Sequence, residues 1–309
     1  MQARHSEQSK TSCGEGNDGL SPRAMDSATL AGPGSDVVLE LTPDVTQADR
    51  QRMALHDLGE NAALWRLSWT LAWLDIKLRY RGSALGPFWL TLSTAAMVGA
   101  LGVLQSVLFQ ADIHGYLPFL ALSLVLWGFI GALVQDACVC FTAAEGMIRS
   151  VRLPFSLYAT RIVLRNLLVL AHNVVVVLVV YLALEAWPGA EAALAVPAFA
   201  VWMIDGVALA LLLGAFCARF RDIPPIVGSV MQMAFFVSGV IFKPSQLGAH
   251  EWLLNFNPFF SILEIVRGPL MGVVPTSVTY LSALLYSLAI CGGAWLIFAR
   301  VRGRIAFWI

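Results

Sequence analysis

Six apolar stretches, each near the ~20 residues needed to cross a bilayer, dominate this chain. They lie at about Leu85–Phe109, Tyr116–Phe141, Ile162–Leu184, Leu194–Ala218, Ile226–Phe242 and Ser277–Ala299. In lipid every backbone polar group must find its partner within the protein, so stretches of this length form helices. Composition agrees: 58% of the residues are hydrophobic and 13% charged, against about 25% charged in soluble domains. A soluble core able to bury that excess does not exist for 309 residues. The expected fold class is an all-α integral membrane protein with six transmembrane helices.

The formal net charge is zero, but its distribution is uneven. Residues 1–60 carry ten acids and five bases, net −5, which leaves the remainder at +5. Arg66, Lys77, Arg79 and Arg81 precede the first span, and Arg149, Arg152, Arg161 and Arg165 surround the second-to-third connection. Arg219 and Arg221 follow the fourth span; Arg300, Arg302 and Arg304 follow the sixth. The opposite connections hold only Lys243 and Arg267. The positive-inside rule then places both termini in the cytoplasm. Basic loops of this kind lie beside a membrane; nucleic acid would require a concentrated basic face.

Residues 1–58 are rich in Ser, Gly, Asp and Pro and lack an apolar run, so they read as a disordered cytoplasmic tail rather than a signal peptide or a span. A docking or regulatory arm is the functional alternative, and Met25 or Met53 could serve as the start in the cell. Residues 59–82 read as an amphipathic interfacial helix. At 100° per residue, Leu64, Leu67, Leu71, Leu74 and Leu78 form one stripe and Trp65, Trp69, Trp73, Ile76 and Tyr80 another. Arg66, Thr70, Lys77 and Arg81 fill a basic strip between them. Such a helix suits the headgroup layer, packed on one side against protein. Its aromatics either anchor it at the interface or, with the cations, meet a substrate headgroup.

The six-helix permease domain spans 83–300, with a short tail at 301–309. Within it, 244–276 is too apolar for an ordinary exterior loop, and Asn257-Pro258 breaks any helix there. Two short re-entrant half-helices account for both features, with Glu264 and Arg267 spaced to pair. Asp205, near the middle of the fourth span, matches His172 and Asn173 of the third in depth, so a hydrogen bond between them is expected. That contact is either interhelical glue or part of a proton relay.

Catalytic signatures are missing. The lysines are Lys10, Lys77 and Lys243, none after a glycine, so no phosphate-binding P-loop is formed. Cys138, Cys140, Cys217 and Cys291 lie in apolar stretches without metal-ligand spacing. The chain reads as a transporter subunit rather than an enzyme, with no cofactor of its own, and ATP-driven transport would need a second polypeptide.

Four segments carry a family resemblance. Leu74-Asp75-Ile76-Lys77-Leu78-Arg79-Tyr80-Arg81-Gly82-Ser83-Ala84-Leu85-Gly86-Pro87-Phe88-Trp89 resembles the approach to the first span in ABC-2 type permeases of the polysaccharide, O-antigen and teichoic-acid exporter family. Arg221-Asp222-Ile223-Pro224-Pro225-Ile226-Val227 is similar to their fourth-to-fifth turn, where Arg221-Asp222 would cap or staple the helix ends. Asn257-Pro258 through Glu264 and Arg267 resembles their re-entrant signature, and Arg304-Ile305-Ala306-Phe307-Trp308-Ile309 their C-terminal tail. The resemblance spans about residues 60–309. It implies a homodimer in a bacterial inner membrane, bound to two copies of an ATP-binding subunit that holds ATP and Mg. The implied cargo is an undecaprenyl-diphosphate-linked glycan, moved from the cytoplasmic to the outer leaflet.

By the same resemblance, Trp69, Trp73, Lys77, Tyr80 and Arg81 belong to a gate helix that meets the lipid headgroup. Glu145–Tyr158 resembles the coupling helix, with Glu145, Arg149 and Arg152 facing the ATPase and Pro154 ending the turn. A long glycan needs a continuous conduit, and aromatic rings stack on sugar faces. Phe88, Trp89, Phe109, Phe235, Phe236 and Phe242 are the candidates on the first and fifth spans. The alternatives are an ABC permease for a drug or small lipid, a proton-coupled carrier using Asp205 and His172, and a non-transporting scaffold.

Overall fold

The computed structural model describes residues 46–83, 86, 88–109 and 113–309, apart from the side chains of 106, 108 and 109. Residues 1–45 of the expected tail, and Ala84, Leu85 and Pro87 around the expected start of the first span, lie outside the described residues. The described chain is helical throughout, without strands. Its α-helices are α1 Gln47–Ala63, α2 Trp65–Arg79, α3 Phe88–Phe109, α4 Ile113–Cys138, α5 Glu145–Ser150, α6 Phe155–Ala183, α7 Ala195–Arg219, α8 Ile223–Val237, α9 Pro258–Leu270 and α10 Ser277–Trp308.

Five of them, α3, α4, α6, α7 and α10, are long and apolar enough to cross a membrane. Helix α8 is apolar but has 15 residues, about 22 Å at 1.5 Å per residue, short of the ~30 Å hydrocarbon core. The fifth apolar stretch reaches Phe242 in sequence, but the helix stops at Val237 because Ser238 caps it and Gly239 turns the chain at φ +63°. Pro224 and Pro225 open α8, where a missing N–H costs nothing. Asp222 precedes them as N-cap residue but makes no side-chain capping hydrogen bond, which corrects the capping role expected for it.

Helix α4 is the central element: 78% of its apolar window is buried, against 17% for α3. It packs against α3, α6, α7, α8 and α9, while α10 lies along α7 and α9. Close approach of α7 is possible because Gly206 and Gly214 face neighbours directly. A Cβ at Gly206 would meet Leu133 at 3.0 Å and Val163 at 3.1 Å; one at Gly214 would meet Cys140 and Phe141 at 3.0 Å. Phe129 stacks on Trp202 at 5.7 Å between centroids, and Trp202 Nε1 donates to the Ile262 carbonyl at 2.8 Å, which fastens α7 to α9.

The boundary drawn at residue 58 falls inside α1. Residues 47–58 are helical rather than tail-like, and Thr46 caps the helix by accepting from the Asp49 N–H. The helix left little hydrophobic signal because its buried residues are just Ala54 and Asp57. Helix α1 packs on α6 and α10, and α2 packs on α6.

Candidate functional site

Helix α2 begins where Leu64 interrupts the α1 helix and ends in the turn Tyr80–Gly82, with Gly82 at φ +86°. It buries none of the Leu stripe and, of the Trp stripe, Ile76 alone among the described residues. Ser68, Ala72 and Ile76 are the buried residues, on the face directly opposite the basic strip, flanked by the two apolar stripes. Small residues win that seam because they let α2 lie close against α6. Trp65, Trp69 and Trp73 are exposed, as are Lys77 and Arg81, while Tyr80 is half-buried.

Asp75 shares the buried seam and reaches into an ion network. Arg161 of α6 donates to the Asp75 carboxylate in bidentate fashion, through Nε at 2.7 Å and through Nη2. Arg165, one turn further along α6, lies 3.8 Å from Asp75 Oδ2 and pairs with Asp136 of α4 at 2.6 Å. Asn166 Nδ2 donates to the same Asp136 oxygen at 2.8 Å. Two donors here are buried without a partner among the described residues: Arg165 Nε and the Tyr158 hydroxyl. No cluster of His, Cys, Asp or Glu able to hold a metal occurs among the described residues.

The segment between α4 and α6 makes a turn at Thr142–Ala144, the short helix α5, and an extended stretch into Pro154. Arg149 pairs with Glu145 at 2.8 Å and donates to the Ile309 carbonyl at 2.7 Å; Arg152 is exposed. Pro154 is the N-cap residue of α6, whose first N–H groups have no side-chain cap of their own. Asp57 supplies it from α1: its carboxylate accepts from the Phe155 and Ser156 N–H at 2.9 Å, from Ser156 Oγ at 2.5 Å, and from Arg302 Nε of α10 at 2.8 Å. Sequence reasoning passed over Asp57, and treated Asp75, Arg161 and Arg165 as motif or loop residues. The available signal was positional: Asp75 is the lone acid of α2 and lies off its basic strip.

Asp205 does not meet the third span. Its carboxylate accepts from Ser287 Oγ at 2.6 Å and lies 3.7 Å from Cys291 Sγ, both on α10. His172 Nδ1 bonds the Leu168 carbonyl, and Asn173 accepts from Thr91 of α3 at 3.4 Å. The expected pairing assumed that sequence neighbours pack by depth alone; α10 covers the Asp205 face of α7 instead.

Beyond α8, the chain forms tight turns over Pro244–Phe256, kinked at Gly248, and then α9. Asn257 separates them, accepting from the Phe259 N–H at 3.0 Å and donating to Ser238 at 2.9 Å, with Pro258 opening α9. Glu264 and Arg267 form an ion pair, and Arg267 also donates to Ser123 of α4 at 3.0 Å and to the Gly239 carbonyl at 2.5 Å. Its guanidinium lies 4.7 Å over the Phe119 ring. Of the aromatic candidates, Phe88, Trp89 and Phe236 are exposed, and Phe242 is half-buried. Phe235 packs between Trp127 and Phe236; the side chain of Phe109 lies outside the described residues.

The family model for ABC-2 type transporters matches residues 66–271, two thirds of the chain. The chain belongs to the ABC-2 type transporter family. It is also similar to the O-antigen export system permease protein RfbA of Myxococcus xanthus, 25% identical over 223 residues, covering 68% of this chain and 86% of that one. The matched region starts in α2 and ends just past α9, so it takes in the Asp75 network, the α4–α6 connection and the Asn257 turn. The molecule is thus a multi-pass membrane permease of an ABC transporter, a family that implies an ATP-binding partner.

Proposed function

We propose that this permease exports a lipid-linked polysaccharide, an O-antigen, capsule or similar glycan, from the cytoplasmic to the outer leaflet of a bacterial inner membrane. The similarity to an O-antigen export permease over most of both chains carries this reading. Helix α2 supports it: an interfacial helix with exposed tryptophans and cations outside, and an acid–arginine network inside, suits an amphiphile with an anionic headgroup. The working unit is a homodimer with two ATP-binding subunits. Six spans, counting α8 with the turn after it, put both termini in the cytoplasm, and 244–276 forms the re-entrant outer segment.

Within this unit, α5 with Glu145, Arg149 and Arg152 docks the ATPase. Closure of the ATPase moves α5 as a rigid body; Arg149 carries the shift to the end of α10, which Asp57 ties to α6. Phe88, Trp89, Phe235, Phe236 and Phe242 contribute to the conduit along the dimer seam. Trp69, Trp73, Lys77, Tyr80 and Arg81 meet the headgroup. The test is purification of this chain with its ATP-binding partner in mild detergent. The expected result is a two-plus-two complex whose ATPase is stimulated by undecaprenyl-diphosphate-linked glycan. A complex stimulated instead by small lipids or drugs, and indifferent to the glycan lipid, contradicts the substrate.

A further inference from the structure

Tyr158, Arg161 and Arg165 stand at i, i+3 and i+7 on α6 and so share one face of it. Against that face lie Asp75 from α2 and Asp136 from α4. The two carboxylates are not equivalent. Asp136 is held within the bundle, by Arg165 at 2.6 Å and Asn166 at 2.8 Å, whereas Asp75 arrives on a separate 15-residue helix bounded by Leu64 and by the turn at Gly82. Apart from Asp75, α2 meets the bundle along α6, through a narrow seam of Ser68, Ala72 and Ile76.

We propose that Arg161 and Arg165 form a receiving site for a lipid-borne diphosphate group, and that the Asp75 carboxylate occupies it until α2 moves aside. Planar guanidinium groups bind carboxylate and phosphate oxygens through the same bidentate geometry, so one can replace the other on Arg161. The site also has donors to spare. Among the described residues Arg165 Nε and the Tyr158 hydroxyl are buried and unpartnered while Asp75 is in place, and a group with more acceptor oxygens than a carboxylate satisfies them.

Exchange also explains how loading and opening are linked. If α2 left without replacement, Arg161 would keep a half-buried charge without a carboxylate, an arrangement that strongly disfavours departure. Arrival of a diphosphate removes that obstacle, so the helix opens when the headgroup is present. Lys77 and Arg81, exposed on the far side of α2, provide the outer attraction for the same anion. The inference rests on the proposed lipid-linked substrate.

The test measures binding of radiolabelled undecaprenyl diphosphate to the full complex in nanodiscs, with undecaprenol and inorganic diphosphate as competitors. Competition by unlabelled undecaprenyl diphosphate and not by undecaprenol is expected. Inorganic diphosphate competing equally well would overturn the lipid source and leave a free-anion site. In Asp75→Asn the internal competitor is gone, and binding tightens by about tenfold. In the charge swap Asp75→Arg with Arg161→Asp the bridge can re-form, but the receiving pair is lost. Binding and transport then stay abolished although the complex assembles.

A swapped complex that binds and transports like the wild type shows a purely structural bridge. If the swap fails to assemble, Asp75→Asn decides alone, and unchanged or weaker binding overturns the site. Wild-type protein without affinity for any prenyl diphosphate overturns the substrate reading itself, whereas wild-type binding that Asp75→Asn leaves unaltered overturns only this site.

Discussion

Asp57 is fully buried, yet two backbone amides and a hydroxyl of α6 and a guanidinium of α10 all donate to it. Removing its carboxylate leaves the α6 N-terminus uncapped and Arg302 unpaired. Asp57→Ala is therefore expected to cost about 3–5 kcal/mol, read as a lowered thermal midpoint of the purified permease. Asp205 is a different case, since its partners are a hydroxyl and a thiol on the neighbouring helix. Interhelical hydrogen bonds in membranes average about 0.6 kcal/mol, so Asp205→Asn should lower stability slightly and leave ATP-driven transport intact. Transport lost in that variant with stability unchanged would revive the proton-relay reading, which the separation of Asp205 from the His172 and Asn173 contacts now disfavours.

At the scale of elements, α7 and α9 depend on close, specific contacts. Gly214→Val forces a branched side chain against Cys140 and Phe141, and overpacking of this kind costs about 1–3 kcal/mol. A thermal scan of the variant checks this, and Gly59→Val, on an open face of α1, serves as its control. Arg267 holds α9 to α4 and to the turn after α8. Arg267→Met leaves Glu264 unpaired and is expected to open the Pro244–Leu270 region to proteolysis before the rest of the bundle.

Elements with strong periodicity or breakers were legible in the sequence. The long apolar helices, the break at Asn257-Pro258 and the i, i+3 pairing of Glu264 with Arg267 all follow from local rules. Helix α1 was not legible, because its buried face is an alanine and an acid rather than an apolar stripe. The seam of α2 was not legible for a related reason. Sequence periodicity marks where apolar residues cluster, whereas contact with α6 selects the small ones. Pairings across the fold, such as Asp75 with Arg161 or Asp205 with Ser287, depend on which helices touch, and spacing along the chain carries no record of that.

For the whole molecule, the decisive question is what drives movement through it. The basic end of the bundle joins α1, α2, α5, α6 and α10 through Asp57, Asp75 and Arg149, so force applied at α5 reaches helices on both sides of the core. A partner that hydrolyses ATP can work such a device without any charge moving across the membrane. The most direct test reconstitutes this chain and its ATP-binding subunit into proteoliposomes and follows the transfer of undecaprenyl-diphosphate-linked glycan between leaflets. The account predicts transfer that requires ATP, ignores a proton gradient, and disappears when Arg149 and Arg152 are both changed to Glu although the complex still forms. Transfer that persists without ATP and follows the proton gradient would contradict it.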